Sequence, residues 1–280
     1  MTTSILVTGA TGNVGGQLVR QLAGAGEPVR ALIRKSSDRA RLPAGTEVVV
    51  GDLNRPHELT EAFAGVRAVH LLSGYEDMPA FLAKARDAGV QHVVLLSSSS
   101  VPGGDMSNAV ARYHILAERA VHESGLSWTF LQPNSYMTNA LQWAPQLRAG
   151  DVVRAAFPEV PIATIDPFDV AAVAATALTA RGHEGRSYRL SGPESLLPAD
   201  RVRVLAEVLG RELRFEGQST DEARAEMSET MPAEYVDAFM SFFADGTLDE
   251  SRVLPTVEEV TGRRPRSFKD WAEANAAAFR

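Results

Sequence analysis

The chain contains no cysteine in its 280 residues, which excludes disulfides, thiolate nucleophiles and Cys-ligated metals and fits a reducing compartment. Basic charge is in deficit: 28 Lys and Arg stand against 35 Asp and Glu, a formal charge of −7, with no long basic run. Direct docking on DNA, RNA or anionic lipid is therefore disfavoured. No apolar stretch approaches the roughly 20 residues needed to span a bilayer. Polar Thr2-Thr3-Ser4 runs straight into Ile5-Leu6-Val7, without the basic and apolar regions of a secretory leader. A cytoplasmic protein with no membrane segment and no metal site is expected. The length allows one large α/β domain, or one domain with a smaller appendage.

Short β-branched runs alternate with helical patterns over the first 130 or so residues. Strands are predicted at 5–7, 29–33, 47–50, 68–72, 93–96 and 128–131, and helices at 17–25, 57–64, 80–88 and 109–123. Asn54 and Pro56 give the second of these helices a cap-like start. Regular alternation at this scale indicates a parallel sheet covered on both faces, a Rossmann-type doubly wound α/β fold. Beyond Pro133 the pattern loosens into helices at 170–178, 199–209 and 232–244 and a strand at 187–190. No linker isolates a second domain. The chain reads as a dinucleotide-binding Rossmann domain over 1–132 and a small C-terminal α/β substrate lobe over 133–280, interleaved with the same sheet.

Val7–Gly16 reads VTGATGNVGG, a Gly9-x-x-Gly12-x-x-Gly15 spacing between a strand and a helix. Gly9 permits the tight turn, Gly12 lets backbone approach a pyrophosphate, and Gly15 lets the helix pack on the strand. Thr11, Asn13 and Val14 fill out the cradle, and the helix start adds N–H groups and a positive dipole end. The second strand ends in Arg34-Lys35, where an NAD-selective fold usually has a carboxylate. Two cations there favour NADP(H) over NAD(H), although solvated surface cations would read the same way. The third strand ends in Gly51-Asp52-Leu53, where Asp52 either accepts from an adenine amino group or caps the following helix. Leu72, Ser73 and Ser97 end strands four and five on the same crevice.

These segments resemble the NmrA-like atypical short-chain dehydrogenases, nearest their quinone-oxidoreductase-like branch. The matching stretches begin at Thr8 (TGATGNVG), Arg30 (RALIRK), Gly51 (GDL), Val69 (VHLLSG), Glu123 (ESGLSWTFLQPNSYMTN), Ile165 (IDPFDVAAVAATAL), Ser191 (SGPE) and Thr261 (TGRRPRSFKDW). The resemblance implies NADP(H) binding and a C-terminal lobe closing over a small-molecule substrate. It implies divided activity as well, since some members resemble quinone or enone reductases and others resemble regulators that bind dinucleotide without turnover.

Short-chain dehydrogenases generally use Tyr-x-x-x-Lys on the helix after strand five, where the lysine activates the phenol. Here Tyr113 is followed four residues on by Ala117. The resemblance places His114 where isoflavone-reductase-like members carry a catalytic lysine, with Glu118 one turn on to hold the imidazole or raise its pKa. The alternative is a histidine merely packed or solvated. A reductase of a quinone-like or other activated carbonyl or conjugated acceptor follows, with His114, and after it Tyr113, as proton donor. Pro133, Asn134 and Tyr136 are expected beside the nicotinamide. Tyr235, Phe239, Phe242 and Phe243, at i, i+4, i+7 and i+8, form one aromatic face, either a substrate wall or plain core packing. Gln132, where many relatives have arginine, and the missing lysine keep open a second reading, a dinucleotide-sensing regulator acting through a protein partner.

Overall fold

A computed structural model describes residues 3–280. In chain order the strands are β1 (Ser4–Val7), β2 (Val29–Ile33), β3 (Glu47–Val50), β4 (Val66–Leu72), β5 (His92–Leu96), β6 (Ser127–Pro133), β7 (Val152–Ala155), β8 (Arg186–Leu190) and β9 (Arg214–Gly217). The helices are α1 (Asn13–Gly24), α2 (Thr60–Phe63), α3 (Met78–Asp87), α4 (Ala109–Glu123), α5 (Ala144–Ala149), α6 (Pro167–Thr179), α7 (Pro198–Leu209), α8 (Thr220–Thr230), α9 (Ala233–Phe239), α10 (Thr256–Thr261) and α11 (Phe268–Asn275). Contacts divide the chain into two compact units. The first runs up to Val101 and adds Tyr113–Gln132 and Pro167–Arg189; the second comprises Pro102–Arg112, Pro133–Asp166 and Leu190–Arg280.

The first unit carries the expected doubly wound sheet, in the order β3-β2-β1-β4-β5-β6-β8. Strands β1 to β6 pair in parallel. Its core joins Leu6, Val69, Leu71, Val93 and Leu95 of the strands to Phe63, Phe81, Leu82 and Val121 of the helices. Helix α6 begins with Pro167, pre-set for the first helical position. Its alanine-rich face and the Gly15-Gly16 pair of α1 leave little side-chain bulk between the two helices, and Gln21 reaches across to the Phe168 carbonyl at 2.9 Å.

Two local expectations are corrected. The predicted helix at 57–64 is a 3₁₀ turn, Pro56–Glu58, followed by the single turn of α2, and neither carries a side-chain cap. Asn54 instead accepts from the Glu76 backbone at 3.1 Å, because its carbonyl is drawn to the loop after β4.

The second unit has its own core, built on Trp143, Leu147, Val202, Leu205, Phe268, Trp271 and Phe279. It also has a two-stranded parallel sheet, β7 with β9, that the sequence pattern did not reveal. The late T-G-R-R-P-R-S-F segment has a local physical role. Gly262 ends α10 in the left-handed region at φ 71°, and Ser267 and Asp270 form a capping box that starts α11. Phe268 and Trp271 are thereby presented to the core.

His70 lies in β4 opposite Val7. It is fully buried, and neither ring nitrogen has a hydrogen-bond partner among the described residues. Burial lowers its pKa from 6.5 to about 4, the Thr8 backbone pulling weakly the other way. An unfolded histidine therefore binds a proton that the folded one refuses, so stability is lost as pH falls from about 6.5 towards 4. His70→Leu is expected to remove about 2–3 kcal/mol of the loss between pH 7 and 4.5. Urea denaturation at several pH values measures it; an unchanged pH slope would absolve His70.

Candidate active site

Because β1 to β5 are parallel, their carboxyl ends share one edge, where open α/β sheets bind ligands. Gly9 sits there at φ 60°, and a Cβ on it would strike the Leu72 side chain. A Cβ on Gly15 would strike the Gly9 carbonyl, so α1 rests directly on the turn. Gly12 is the N-cap of α1; it provides no side-chain cap, and no acidic residue stands in the first turn. The positive end of the helix is thus not neutralised from within, and Thr11, Gly12 and Asn13 are partly or fully exposed around it. Val14 is buried and anchors the helix to the sheet. These residues fit a dinucleotide pyrophosphate.

Arg34 and Lys35 are exposed beyond β2 and make no ion pair among the described residues. Asp52 accepts from the Asn54 backbone at 3.0 Å, a local turn and not a cap of the 3₁₀ turn that follows, and Leu53 points its side chain into the core. Tyr75, which the sequence reading passed over, reaches Thr8 and is sensed by Arg34 and Asp52. Burial pushes its phenol above the ordinary range. A tyrosine in a loop after a strand carries no periodic signal, so only the fold places it here.

Ser73 is the node of the site. Its hydroxyl donates to the Leu96 carbonyl at 2.8 Å. The Tyr113 hydroxyl donates to the Ser73 carbonyl at 2.8 Å, its ring lying where a Gly74 side chain would be. His114 Nδ1 is 3.3 Å from Ser73 Oγ. Since the serine proton is committed to Leu96, Oγ accepts, and Nδ1 is the protonated nitrogen. Nε2 of the neutral ring is then an acceptor. Burial lowers the His114 pKa to about 4, so the ring is neutral at pH 7. The expected role of His114 as proton donor does not fit this geometry.

Glu118 does not hold His114, contrary to expectation. Its Oε1 accepts from Ser97 Oγ at 2.5 Å and from Gln132 Nε2 at 2.9 Å. Burial raises its pKa against the pull of those two donors. Gln132, the departure from relatives with arginine, is thus the neutral partner of a half-buried carboxylate, and Ser97 is 4% exposed. Ala117, where a lysine would complete the Tyr-x-x-x-Lys pair, is packed in the core with Val121 and Phe130.

The second unit holds a cavity of about 670 Å³. Asn134, buried in the same unit but off the cavity wall, donates to the Ala163 carbonyl at 3.3 Å and the Glu250 carbonyl at 3.0 Å. Glu250, also buried, accepts from the Ser135 backbone at 3.0 Å and hydroxyl at 2.5 Å. Pro133 is buried at the end of β6. Burial, then the Glu250 charge, raises the Tyr136 pKa; its neighbour Ser135 lines the cavity, and Tyr136 itself does not. Phe239 and Phe243 line it with near-parallel rings 6.4 Å apart, and Phe157 faces Phe243 at 5.3 Å. The single aromatic face is corrected: a π-helical turn over Met240–Ala244 resets the spacing, Phe242 turns into the core, and Tyr235 stays off the cavity wall. Among the described residues Phe157 is the non-glycine residue with a left-handed backbone, φ 55°, a strain of about 1–3 kcal/mol held at this wall. Arg201 of α7 also lines the cavity, and nothing in the sequence distinguished it from a solvated helix arginine.

Ala117→Lys is expected to lower stability by several kcal/mol, because it buries an ammonium in the core, and not to raise activity. Thermal unfolding and NADPH oxidation measure both; a stable variant of increased activity would show that position 117 opens to the site.

The chain matches the family described as NAD(P)H-binding over residues 9–181. It is 43% identical to the (4-alkanoyl-5-oxo-2,5-dihydrofuran-3-yl)methyl phosphate reductase of Streptomyces griseus, over 98% of this chain and 99% of that protein. It is 35% identical to the NAD(P)H azoreductase of Xenophilus azovorans, over 98% of this chain and 99% of that one. Among solved structures, an NADPH-dependent quinone oxidoreductase of Escherichia coli, complexed with NADPH, shares the fold at a TM-score of 0.80 and 24% identity, over 96% of this chain and 99% of that one. The chain therefore belongs to the NAD(P)H-binding family, and it is an NAD(P)H-dependent oxidoreductase.

Proposed function

We propose that the protein reduces a quinone-like or other conjugated, electron-poor acceptor with NADPH, the first unit binding the cofactor and the second the substrate. The observation that carries this reading is the tyrosine without its lysine: Tyr113 is anchored on Ser73, and Ala117 lies in the core. An unassisted phenol suits an acceptor that is already activated and serves an ordinary ketone poorly. The unsaturated lactone and azo acceptors named for the two relatives have such electron-poor double bonds.

The cradle of Gly9, Thr11, Gly12, Asn13 and Val14 takes the pyrophosphate, and Asp52 with the Leu53 backbone borders the adenine. Arg34, as a planar fork, and Lys35 take the ribose 2′-phosphate, which makes NADPH the preferred cofactor. Leu72, Ser73 and Ser97 frame the rest of the crevice in the first unit. Bound NADPH supplies the hydride. Tyr113, once released from the Ser73 carbonyl, would give its proton to the conjugated oxygen of the acceptor. His114, neutral and donating to Ser73 Oγ, positions that serine and with it the phenol.

NADPH oxidation with a panel of quinones, unsaturated lactones and plain ketones is expected to show turnover with the first two classes. Tyr113→Phe should lower kcat about 10²-fold; NADPH binding with no acceptor turned over would end the reductase proposal. Arg34→Ala is expected to weaken NADPH about 10- to 100-fold and NADH little. Titration by fluorescence decides it, equal losses ruling out the 2′-phosphate assignment.

A further inference from the structure

Arg201 is the most unusual charged residue of the second unit. It is 7% exposed. Its guanidinium makes no hydrogen bond and no ion pair among the described residues, and Nε is shut from solvent without a partner. Its contact is an aromatic face, with the guanidinium carbon 5.4 Å from the Trp143 ring centroid. Burial lowers its pKa to about 10, so the cation persists at neutral pH.

The carboxylates around it are otherwise engaged. On its own helix, Asp200 pairs with Arg203 at 3.1 Å and caps the Leu197 N–H at 3.2 Å. Across the cavity wall, Glu226 accepts from Gln218 and Glu222 pairs with Arg154 at 2.9 Å. Glu229 lines the cavity without reaching Arg201. A buried, unpaired guanidinium is costly, and cation–π contact alone offsets little of that cost. Here it faces a ligand-sized concavity whose other walls include Phe157, Phe239 and Phe243.

We propose that Arg201 is the substrate-specificity residue, its guanidinium binding an anionic oxygen group, a phosphate monoester or a carboxylate, on an acceptor whose apolar part lies against Phe157, Phe239 and Phe243. The inference rests on the reading of this cavity as the substrate site. The planar fork of arginine pairs with two such oxygens at once, and the dry surroundings strengthen the pair. The chain supplies no carboxylate to Arg201 because the substrate supplies the anion.

Three acceptors test it, sharing one alkanoyl-butenolide ring and ending in hydroxymethyl, in methyl phosphate or in carboxymethyl. In the wild type the preferred anion should have a KM at least about 10-fold below that of the hydroxymethyl compound. Arg201→Gln should bring the ratio near one, and Arg201→Lys, which keeps the charge and guards against loss of folding, should retain part of it. Whichever anion gains more identifies the group bound. Equal KM values in the wild type, or a preference that survives in Arg201→Gln, would overturn the proposal. Should none of the three be reduced, the substrate reading fails separately, and calorimetry with the same phosphate compound still decides on Arg201. Binding to the wild type that falls at least 10-fold in Arg201→Gln supports it; equal binding overturns it.

Discussion

The close seating of the glycine turn on the end of β4 is the contact on which the first unit depends. The Leu72 backbone donates to Thr8 Oγ1 at 3.1 Å, the Leu72 side chain fills the space a Gly9 Cβ would need, and α1 lies on the Gly9 carbonyl through Gly15. A larger residue at Gly15 would push α1 off the turn, and one at Gly9 would need a left-handed backbone and a displaced Leu72 side chain. The same contact fixes where Ser73 follows Leu72. Ser73 in turn carries Tyr113 on its carbonyl and His114 on its hydroxyl. The glycine turn and the Tyr113 and His114 side chains are thus tied to one stretch of backbone by hydrogen bonds.

Around that stretch the structure handles charge in two ways. Half-buried Glu118 is surrounded by two neutral donors, Ser97 and Gln132, so no cation is needed beside the sheet. His114, one helical turn away, is kept neutral by burial. The phenol of Tyr113 is then the proton-bearing group of this cluster that reaches the surface, at 39% exposure. The reaction we propose makes modest demands on the protein, since an electron-poor acceptor needs positioning and one proton more than it needs a tuned acid–base pair.

In the second unit the balance differs. Glu250 is buried but satisfied by Ser135, whereas the buried Arg201 guanidinium lies over the face of Trp143 without a polar partner among the described residues. A satisfied buried charge holds a loop in place, and an unsatisfied one facing a cavity waits for a ligand. The strained backbone of Phe157, the π-helical turn and the stacked Phe239 and Phe243 all lie at or beside that cavity. Local irregularity is concentrated where substrate selection is proposed.

Strand and helix periodicity, the Gly9/Gly12/Gly15 spacing and the Arg34-Lys35 strand end were legible in the sequence. They follow from local rules: apolar repeat, backbone conformation at glycine, and residue type at the end of a parallel strand. The broken Tyr113/Ala117 pair was equally plain. What the sequence left open were long-range choices. Glu118 is one turn from His114, yet it binds Ser97 and Gln132, because β5 and β6 bring those donors nearer. Tyr235 and Phe242 share a helical stripe with Phe239 and Phe243 on paper, but a single π turn separates them. Arg201 reads as any solvated helix cation until the packing of α7 against Trp143 buries it. Local sequence determined the fold and the glycine turn, because turns and periodicity act over a few residues. Which charges are paired, neutral or left for a ligand was decided only by tertiary packing, which sets who stands within hydrogen-bond distance of whom.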